Sequence, residues 1–304
     1  MNPNEKLVND ILQLKKERNA IILAHNYQMD EVQDIANFTG DSLGLSQSAA
    51  RTEADVIVFC GVHFMAETAA ILSPQKTVLM PDLNAGCAMA NMITHRQLLE
   101  LKKKHPDAIY VCYVNCSAQT KAECDYCCTS ANAVKVVQAI PKEKQVVFIP
   151  DKYLGSYVIS QTKRDLILWE GYCPTHIRIL AEDILKRKAA YPKAEVLVHP
   201  ECTPEVIAMA DKVLSTSGIC DYAKKSSSKE FIIGTEIGIL HKLKKENPEK
   251  KFYPASELAD CPNMKLNNLE KILWSLEDMV YQVTVPEEIA TRAKKSIDRM
   301  LEIT

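Results

Sequence analysis

Three cysteines pose the first chemical question. Cys87, Cys173 and Cys261 each stand alone, in Gly86-Cys87-Ala88-Met89, Tyr172-Cys173-Pro174 and Asp260-Cys261-Pro262-Asn263-Met264, and lie 86 and 88 residues apart. Zinc sites read from sequence cluster their ligands in C-x2-C pairs, and this spacing does not match them. Only tertiary structure can join the three. Thiolates brought to one point select a soft centre: zinc, copper or an iron–sulfur cluster. A four-iron cubane held by three cysteines leaves one iron without a protein ligand. That iron is a Lewis acid for carboxylate or hydroxyl oxygens and can assist loss of water. Taken singly, each residue is an ordinary loop cysteine. Their shared register is what joins them.

That register belongs to a threefold repeat. First strands are expected at Ala20 to Ala24, Ile109 to Cys112 and Glu195 to Val198, short apolar runs of buried-strand type. They end in His25-Asn26-Tyr27, Tyr113-Val114-Asn115 and His199-Pro200-Glu201, again 88 and 86 residues apart. Hydroxyl turns keep step at Ser42, Ser130 and Thr216, with Ser215 matching Thr129, and each turn precedes a helical stretch. Second strands follow at Asp55 to Phe59, Gln145 to Ile149 and Glu230 to Ile233, and third strands at Thr77 to Met80, Leu166 to Trp169 and Phe252 to Tyr253. Alternating strands and helices imply short parallel sheets covered by helices on both faces. The expected architecture is α/β: three pseudo-threefold-related, three-layer α/β/α domains with the active site at their central junction. Their expected bounds are residues 1–91, 92–176 and 177–266, and a segment 267–304 without a counterpart packs on the first repeat. Sites in such sheets form beyond the carboxyl ends of the strands. Here those ends carry polar residues, hydroxyls or cysteines.

Composition excludes several classes. The 304 residues carry 37 basic and 39 acidic side chains, a net charge of −2, with no basic patch interleaved with aromatics, so nucleic acid is not an expected partner. The start, Met1-Asn2-Pro3-Asn4-Glu5-Lys6, is polar and helix-initiating, and no apolar run approaches the ~20 residues of a membrane span, so no membrane partner is expected either. A cytoplasmic protein is expected. Eleven cysteines are then metal ligands, reactive thiols or small core residues rather than a disulfide framework. Cys60 and Cys112, inside apolar runs, are assigned to packing. The group Cys124-Asp125-Tyr126-Cys127-Cys128 has spacing suited to redox chemistry or half a zinc site, but it lacks a second pair and is assigned no cluster ligand. Cys116, Cys202 and Cys220 receive no role.

The polar set has its own chemistry. Ser42, Ser130 and Thr216 are acceptable helix N-caps, and a helix N-terminus with a hydroxyl is an anion site. Three of them facing one cavity, with His25, His199 and Asn115 as donors, suit a substrate rich in carboxylate or phosphate.

The segments Ala24-His25-Asn26-Tyr27, Gly40-Asp41-Ser42-Leu43, Phe64-Met65-Ala66-Glu67, Thr129-Ser130-Ala131-Asn132, His199-Pro200-Glu201-Cys202, Gly234-Thr235-Glu236-Ile237-Gly238 and Cys261-Pro262-Asn263-Met264, in this order, resemble the quinolinate synthase A family. The resemblance runs over the whole chain. It implies a triangular three-domain enzyme with a [4Fe–4S] cluster on Cys87, Cys173 and Cys261 and one open iron. It also implies condensation of iminoaspartate with dihydroxyacetone phosphate to quinolinate, phosphate and two waters, on the route to NAD. Contacts to the dicarboxylate then fall on His25, Ser42, Tyr113, Asn115, Ser130, His199, Glu201, Ser215 and Thr216. Tyr27, Glu201 and His199 are the catalytic candidates, the Glu201 carboxyl expected with a raised pKa, and His176 is placed to meet substrate or tune the cluster. Functional coupling to an aspartate oxidase or dehydrogenase that supplies unstable iminoaspartate follows from the same chemistry. The rival readings are a three-cysteine hydro-lyase acting on another dicarboxylate and a non-catalytic protein braced by zinc.

Overall fold

A computed structural model describes residues 3–303; the expected helix start at Met1 and Asn2 and the final Thr304 lie outside the described residues. The first sheet contains β1 (Ala20–His25), β2 (Phe38–Gly40), β3 (Val56–Cys60) and β4 (Thr77–Leu79). The second contains β5 (Ile109–Tyr113), β6 (Tyr126–Cys128), β7 (Val146–Ile149) and β8 (Ile167–Leu168), and the third β9 (Glu195–Val198), β10 (Lys212–Val213), β11 (Glu230–Gly234) and β12 (Lys251–Pro254). All named pairs run parallel, and the strand order repeats as β2-β1-β3-β4, β6-β5-β7-β8 and β10-β9-β11-β12. The α/β architecture with three parallel sheets is thus as the sequence implied.

Each sheet has one strand more than expected. The additional β2, β6 and β10 are edge strands of 3, 3 and 2 residues, too short for alternation to announce them. Their position matters, because each runs directly into a hydroxyl-bearing turn.

The strands are buried on both faces. In the first sheet Ile22, Ala24, Val56, Val58 and Cys60 meet Ile11 and the helix Leu269–Asp278, while Leu23, Ile57 and Phe59 join the core shared with the rest of the chain. Cys60 and Cys112 are core residues, as expected, and Cys112 also lies 3.4 Å from the Cys127 sulfur on its neighbouring strand. Among the described residues no helix is long and apolar enough to cross a membrane.

The hydroxyl turns need one correction. The helix Ser42–Arg51 is capped by Asp41, which accepts from the Gly44 amide at 3.0 Å, and the helix Thr216–Lys225 by Ser215, which accepts from the Gly218 amide at 3.1 Å. Ser42 and Thr216 are therefore first helical residues rather than caps. An N-cap must be non-helical so that its side chain can turn back on the first turn, and Asp41 and Ser215, one and two residues past their edge strands, meet that need. In the second repeat the helix Ala133–Ala139 starts later, and Ser130 sits in the preceding turn.

The segment after residue 266 divides between two repeats. Helix Leu269–Asp278 lies on the helix Pro3–Glu17 and on β3, and Gln282 forms an antiparallel bridge with Leu79 of β4. The last helix, Glu287–Glu302, expected on the first repeat, instead packs chiefly against Ala118–Ala122 and β6 of the second, and also against His63–Leu72 of the first. Its buried Ala293, Ser296, Ile297 and Met300 form the stripe that makes this seat.

Asn132 ties that helix to the site. Its Oδ1 accepts from the Thr129 amide at 2.8 Å, and its Nδ2 donates to the carbonyls of Met300 and Ile303 at 2.9 and 2.7 Å. Asn132→Ala leaves these buried groups without partners and is expected to cost about 2–4 kcal/mol in urea unfolding. A change below about 0.5 kcal/mol, the range of surface substitutions, would show that the turn holds without it.

Candidate active site

The carboxyl ends of the central strands face one cavity of about 270 Å³ at the junction of the three repeats. Tyr27 and Asn115, two residues past β1 and β5, and Glu201, three past β9, occupy equivalent places on its wall. So do the end residues His25 and Tyr113, with His199 one residue past β9. Ser42, Ser130, Thr216 and His176 complete the expected set, and Cys87, Cys173 and Cys261 line the same space.

Ser215 is the exception. It caps its helix, donates to Asp41 Oδ2 at 3.3 Å, and lines a separate outer groove that shares Asp41 and Ser130 with the cavity.

The histidines are held in one tautomer. The Tyr27 amide donates to His25 Nδ1 at 3.2 Å, and the Glu201 amide donates to His199 Nδ1 at 3.3 Å, the same contact in two repeats. With Nδ1 accepting, the neutral ring carries its hydrogen on Nε2. His199 Nε2 accordingly donates to Ser130 Oγ at 3.0 Å. Burial lowers both pKa values to about 3, against a partial opposing pull from Glu201, so both rings are neutral near pH 7.

Glu201 is 3% exposed and fully engaged. Tyr113 donates its hydroxyl to Oε1 at 2.5 Å, and His176 Nδ1 lies 2.8 Å from Oε2. Burial alone pushes the carboxyl up, but His176, against Oε2, and the Tyr113 hydrogen bond outweigh it and hold the pKa below the ordinary value. The expected raised pKa is therefore corrected: Glu201 is an ionised acceptor.

His176 extends this contact into a chain. With Nδ1 donating to the carboxylate, Nε2 accepts from Thr235 Oγ1 at 2.8 Å, and Thr235 in turn accepts from the Tyr27 hydroxyl at 2.6 Å. His176 Nδ1 also lies 3.2 Å from Cys173 Sγ, and its ring stacks on His199 with centroids 4.8 Å apart. Burial first, and Glu201 second, raise the pKa of both tyrosines well above the ordinary phenol value, so each is a neutral donor.

The three cysteines share a local construction. Each precedes a 3-10 turn by three residues, at Ala90–Met92, His176–Arg178 and Met264–Leu266. In each case the amide of that third residue, Ala90, His176 or Met264, is directed at the sulfur and favours the thiolate. Burial opposes this and dominates in the metal-free protein, raising Cys87 to about 12, Cys173 well above the usual thiol value, and Cys261 less far. No disulfide competes for them, since all eleven cysteines are free. Three reduced thiols, each with an amide waiting for negative charge, fit a thiolate-bound metal cluster whose binding releases their protons to solvent. Asn115 adds a buried Oδ1 without any partner, facing the cavity, and such a group calls for a ligand donor.

Sequence reasoning passed over Asp41, Thr235, Glu236 and Arg178 on or beside this cavity. Asp41, Thr235 and Glu236 lay within the motifs quoted above. The signal for the latter two was the end of β11, a second strand of its repeat rather than a first.

Three parallel-sheet units around a cavity with three thiols and the ionised Glu201 fit an α/β enzyme with a small-molecule site. Residues 9–302 match the family described as Quinolinate synthetase A protein. The chain is 58% identical over 298 residues to the quinolinate synthase of Methanosarcina barkeri, covering 98% of each chain. It is 56% identical over 299 residues to that of Dehalococcoides mccartyi (98% of this chain, 99% of the other). Against that of Geobacter metallireducens it is 58% identical over 294 residues (97% and 96%). The chain belongs to the quinolinate synthetase A family.

The depressed histidine pKa values carry a stability consequence. Unfolding returns His25 and His199 from about 3 to 6.5, so the unfolded chain takes up protons first as pH falls. Stability from this source is complete above pH 6.5 and declines below it, by about 1.4 kcal/mol per histidine per pH unit. Urea unfolding of the cluster-free protein at pH 7, 5.5 and 4.5 is expected to show a shallower acid decline in His25→Asn than in wild type. Parallel declines would mean that His25 is not buried in its neutral form.

Proposed function

We infer that this chain makes quinolinate for NAD biosynthesis, a dehydrating transferase reaction that condenses iminoaspartate with dihydroxyacetone phosphate and releases phosphate and two waters. The observation that carries the reading is the meeting of three thiols from three repeats, each with the amide three residues on directed at its sulfur. Cys87, Cys173 and Cys261 would hold a [4Fe–4S] cluster. When bound, its open iron supplies Lewis acidity for loss of hydroxide from carbon. The compartment is inferred to be the cytoplasm, in keeping with eleven free cysteines.

The remaining roles belong to the chain's own residues. Ser42 and Thr216 bring the first turns of two ten-residue helices to the cavity, where unpaired amides favour carboxylate. Arg178, which also lines the cavity, adds the positive charge that a phosphate or second carboxylate needs. Neutral His25, through Nε2, and Asn115 offer hydrogen bonds without bringing charge. Tyr27 is the proton acceptor facing the cavity: as it takes a proton from substrate, its own passes to Thr235 and that of Thr235 to His176 Nε2, and the resulting cation is stabilised by Glu201. Glu201 thus works as the fixed anion behind the relay, while Tyr113 restrains it and His199 orients Ser130 toward substrate. Closure of the cavity by all three repeats keeps water from hydrolysing the imine.

Anaerobic iron and sulfide analysis of wild type beside Cys87→Ser, Cys173→Ser, Cys261→Ser and Cys127→Ser tests the ligand set. About four irons are expected in wild type and in Cys127→Ser, and none in the other three. A wild type that holds only zinc would sink the reading, and loss of iron in Cys127→Ser would move the site.

The relay has a separate test. Thr235→Val is expected to lower kcat about 10²-fold with KM and iron content unchanged, and Thr235→Ser to restore most of the loss. Full turnover in Thr235→Val would remove the relay from the mechanism.

A further inference from the structure

The carboxylate of Glu236 is fully buried and binds three things at once. Its Oε1 accepts from the Cys261 amide at 3.0 Å and pairs with Lys265 Nζ at 2.9 Å, while Oε2 accepts from the Gly238 amide at 2.7 Å. Lys265 reaches across to the first repeat and donates to the carbonyl of Tyr27. Gly238 continues the link, since its carbonyl accepts from Gln33 Nε2 at 2.9 Å, and Gln33 also donates to the carbonyls of Gln28 and Asn26 at 2.8 and 3.2 Å.

The junction is closed to any side chain at residue 238. A Cβ there would stand 2.7 Å from Lys265 Nζ, 2.8 Å from the Tyr27 carbonyl and 2.9 Å from Glu236 Oε2. Two of these three atoms belong to the pair itself.

The arrangement is peculiar to the third repeat. Two residues past β7 the corresponding place holds Asp151, which caps the helix Lys152–Thr162 through the Leu154 amide at 2.6 Å and pairs with no lysine. Two residues past β3 it holds Val62. The same register position has therefore been given a different task in each repeat.

We propose that Glu236 and Lys265 form a clamp that fixes the Cys261 loop to the Tyr27 loop, so that one thiol of the metal centre and the tyrosine of the proton relay are held in a single frame. Both are positioning residues; neither is assigned a chemical step. The proposal takes Cys261 and Tyr27 in the roles given under the proposed function, but the clamp itself is a property of the protein without its cluster.

The test uses that independence. In cluster-free protein, alkylation by iodoacetamide is followed by mass spectrometry at Cys261 and Cys87, with Cys87 as internal reference. Local opening controls access to a shielded thiol, so Glu236→Gln and Lys265→Met are expected to raise the Cys261-to-Cys87 rate ratio about tenfold. Gly238→Ala should do the same by forcing the pair apart. Lys250→Met is the control for general loss of stability, because Lys250 is buried in the third repeat on the carbonyls of Ala223 and Ser226, away from the clamp. It should leave the ratio at the wild-type value. A wild-type ratio in Glu236→Gln and Lys265→Met, or an equal rise in Lys250→Met, would overturn the proposal.

Iron release to a chelator from the anaerobic protein gives the second readout. It is expected to be about tenfold faster in the two clamp variants, as for loss of groups that orient a metal ligand. A wild type with no iron would overturn the proposed function, while the alkylation ratio still decides the clamp.

Discussion

A charged carboxylate can be buried at the centre of a protein only where each oxygen has a donor. Glu201 meets that condition with groups it cannot supply for itself: the Tyr113 hydroxyl and the His176 ring both come from the second repeat. Separating the repeats would leave an anion in a dry cavity, and closing them without Glu201 would leave two donors unmatched. The central site and the docking of the repeats are in this sense one structure. His176 adds the link to Thr235 and Tyr27, so a single hydrogen-bonded path touches all three repeats.

The short sheets explain why this burden falls on strand ends. A central strand of four to six residues has its middle taken up by packing on both faces, as in the uniformly buried Val56–Cys60. Polar chemistry is displaced to the residues just past the carboxyl end, where the chain turns and the sheet no longer covers it. The edge strands deliver the second set of groups. β2 and β10 hand the chain to a turn whose cap residue satisfies the helix, leaving the next hydroxyl, Ser42 or Thr216, turned to the cavity.

Much of this was legible in the sequence because the repeat preserves register. Spacing of 86 and 88 residues recurs in the cysteines, in His25, Tyr113 and His199, and in Ser42, Ser130 and Thr216, and only a common position in a common fold explains all three. Edge strands of two or three residues carry too little alternation to be read, which is why Ser42 and Thr216 read as caps in place of Asp41 and Ser215. The electrostatic state of Glu201 was illegible for a different reason. Its burial was foreseeable, but the sign of the shift depends on which donors meet it from elsewhere in the chain, and sequence neighbours do not reveal them. Thr235 and Glu236 were hidden in the same way, because their partners, Tyr27, His176 and Lys265, are tertiary. The seat of the last helix on the second repeat likewise follows from a stripe matched by a distant surface.

The backbone amides that hold His25 and His199 have a consequence for which metals this cavity admits. Imidazole is the commonest metal ligand in proteins, and two imidazoles beside three thiols would ordinarily invite zinc or copper to bridge them. Here the Nδ1 lone pair of each ring is already occupied by the amide two residues on, and Nε2 carries the proton. Neither nitrogen is open to coordinate unless the ring changes tautomer and gives up a buried hydrogen bond. Two hydrogen bonds of the main chain thus keep His25 and His199 from acting as metal ligands in their present tautomer, and leave His176, beside Cys173 and Glu201, as the imidazole nearest to a metal held by the thiols.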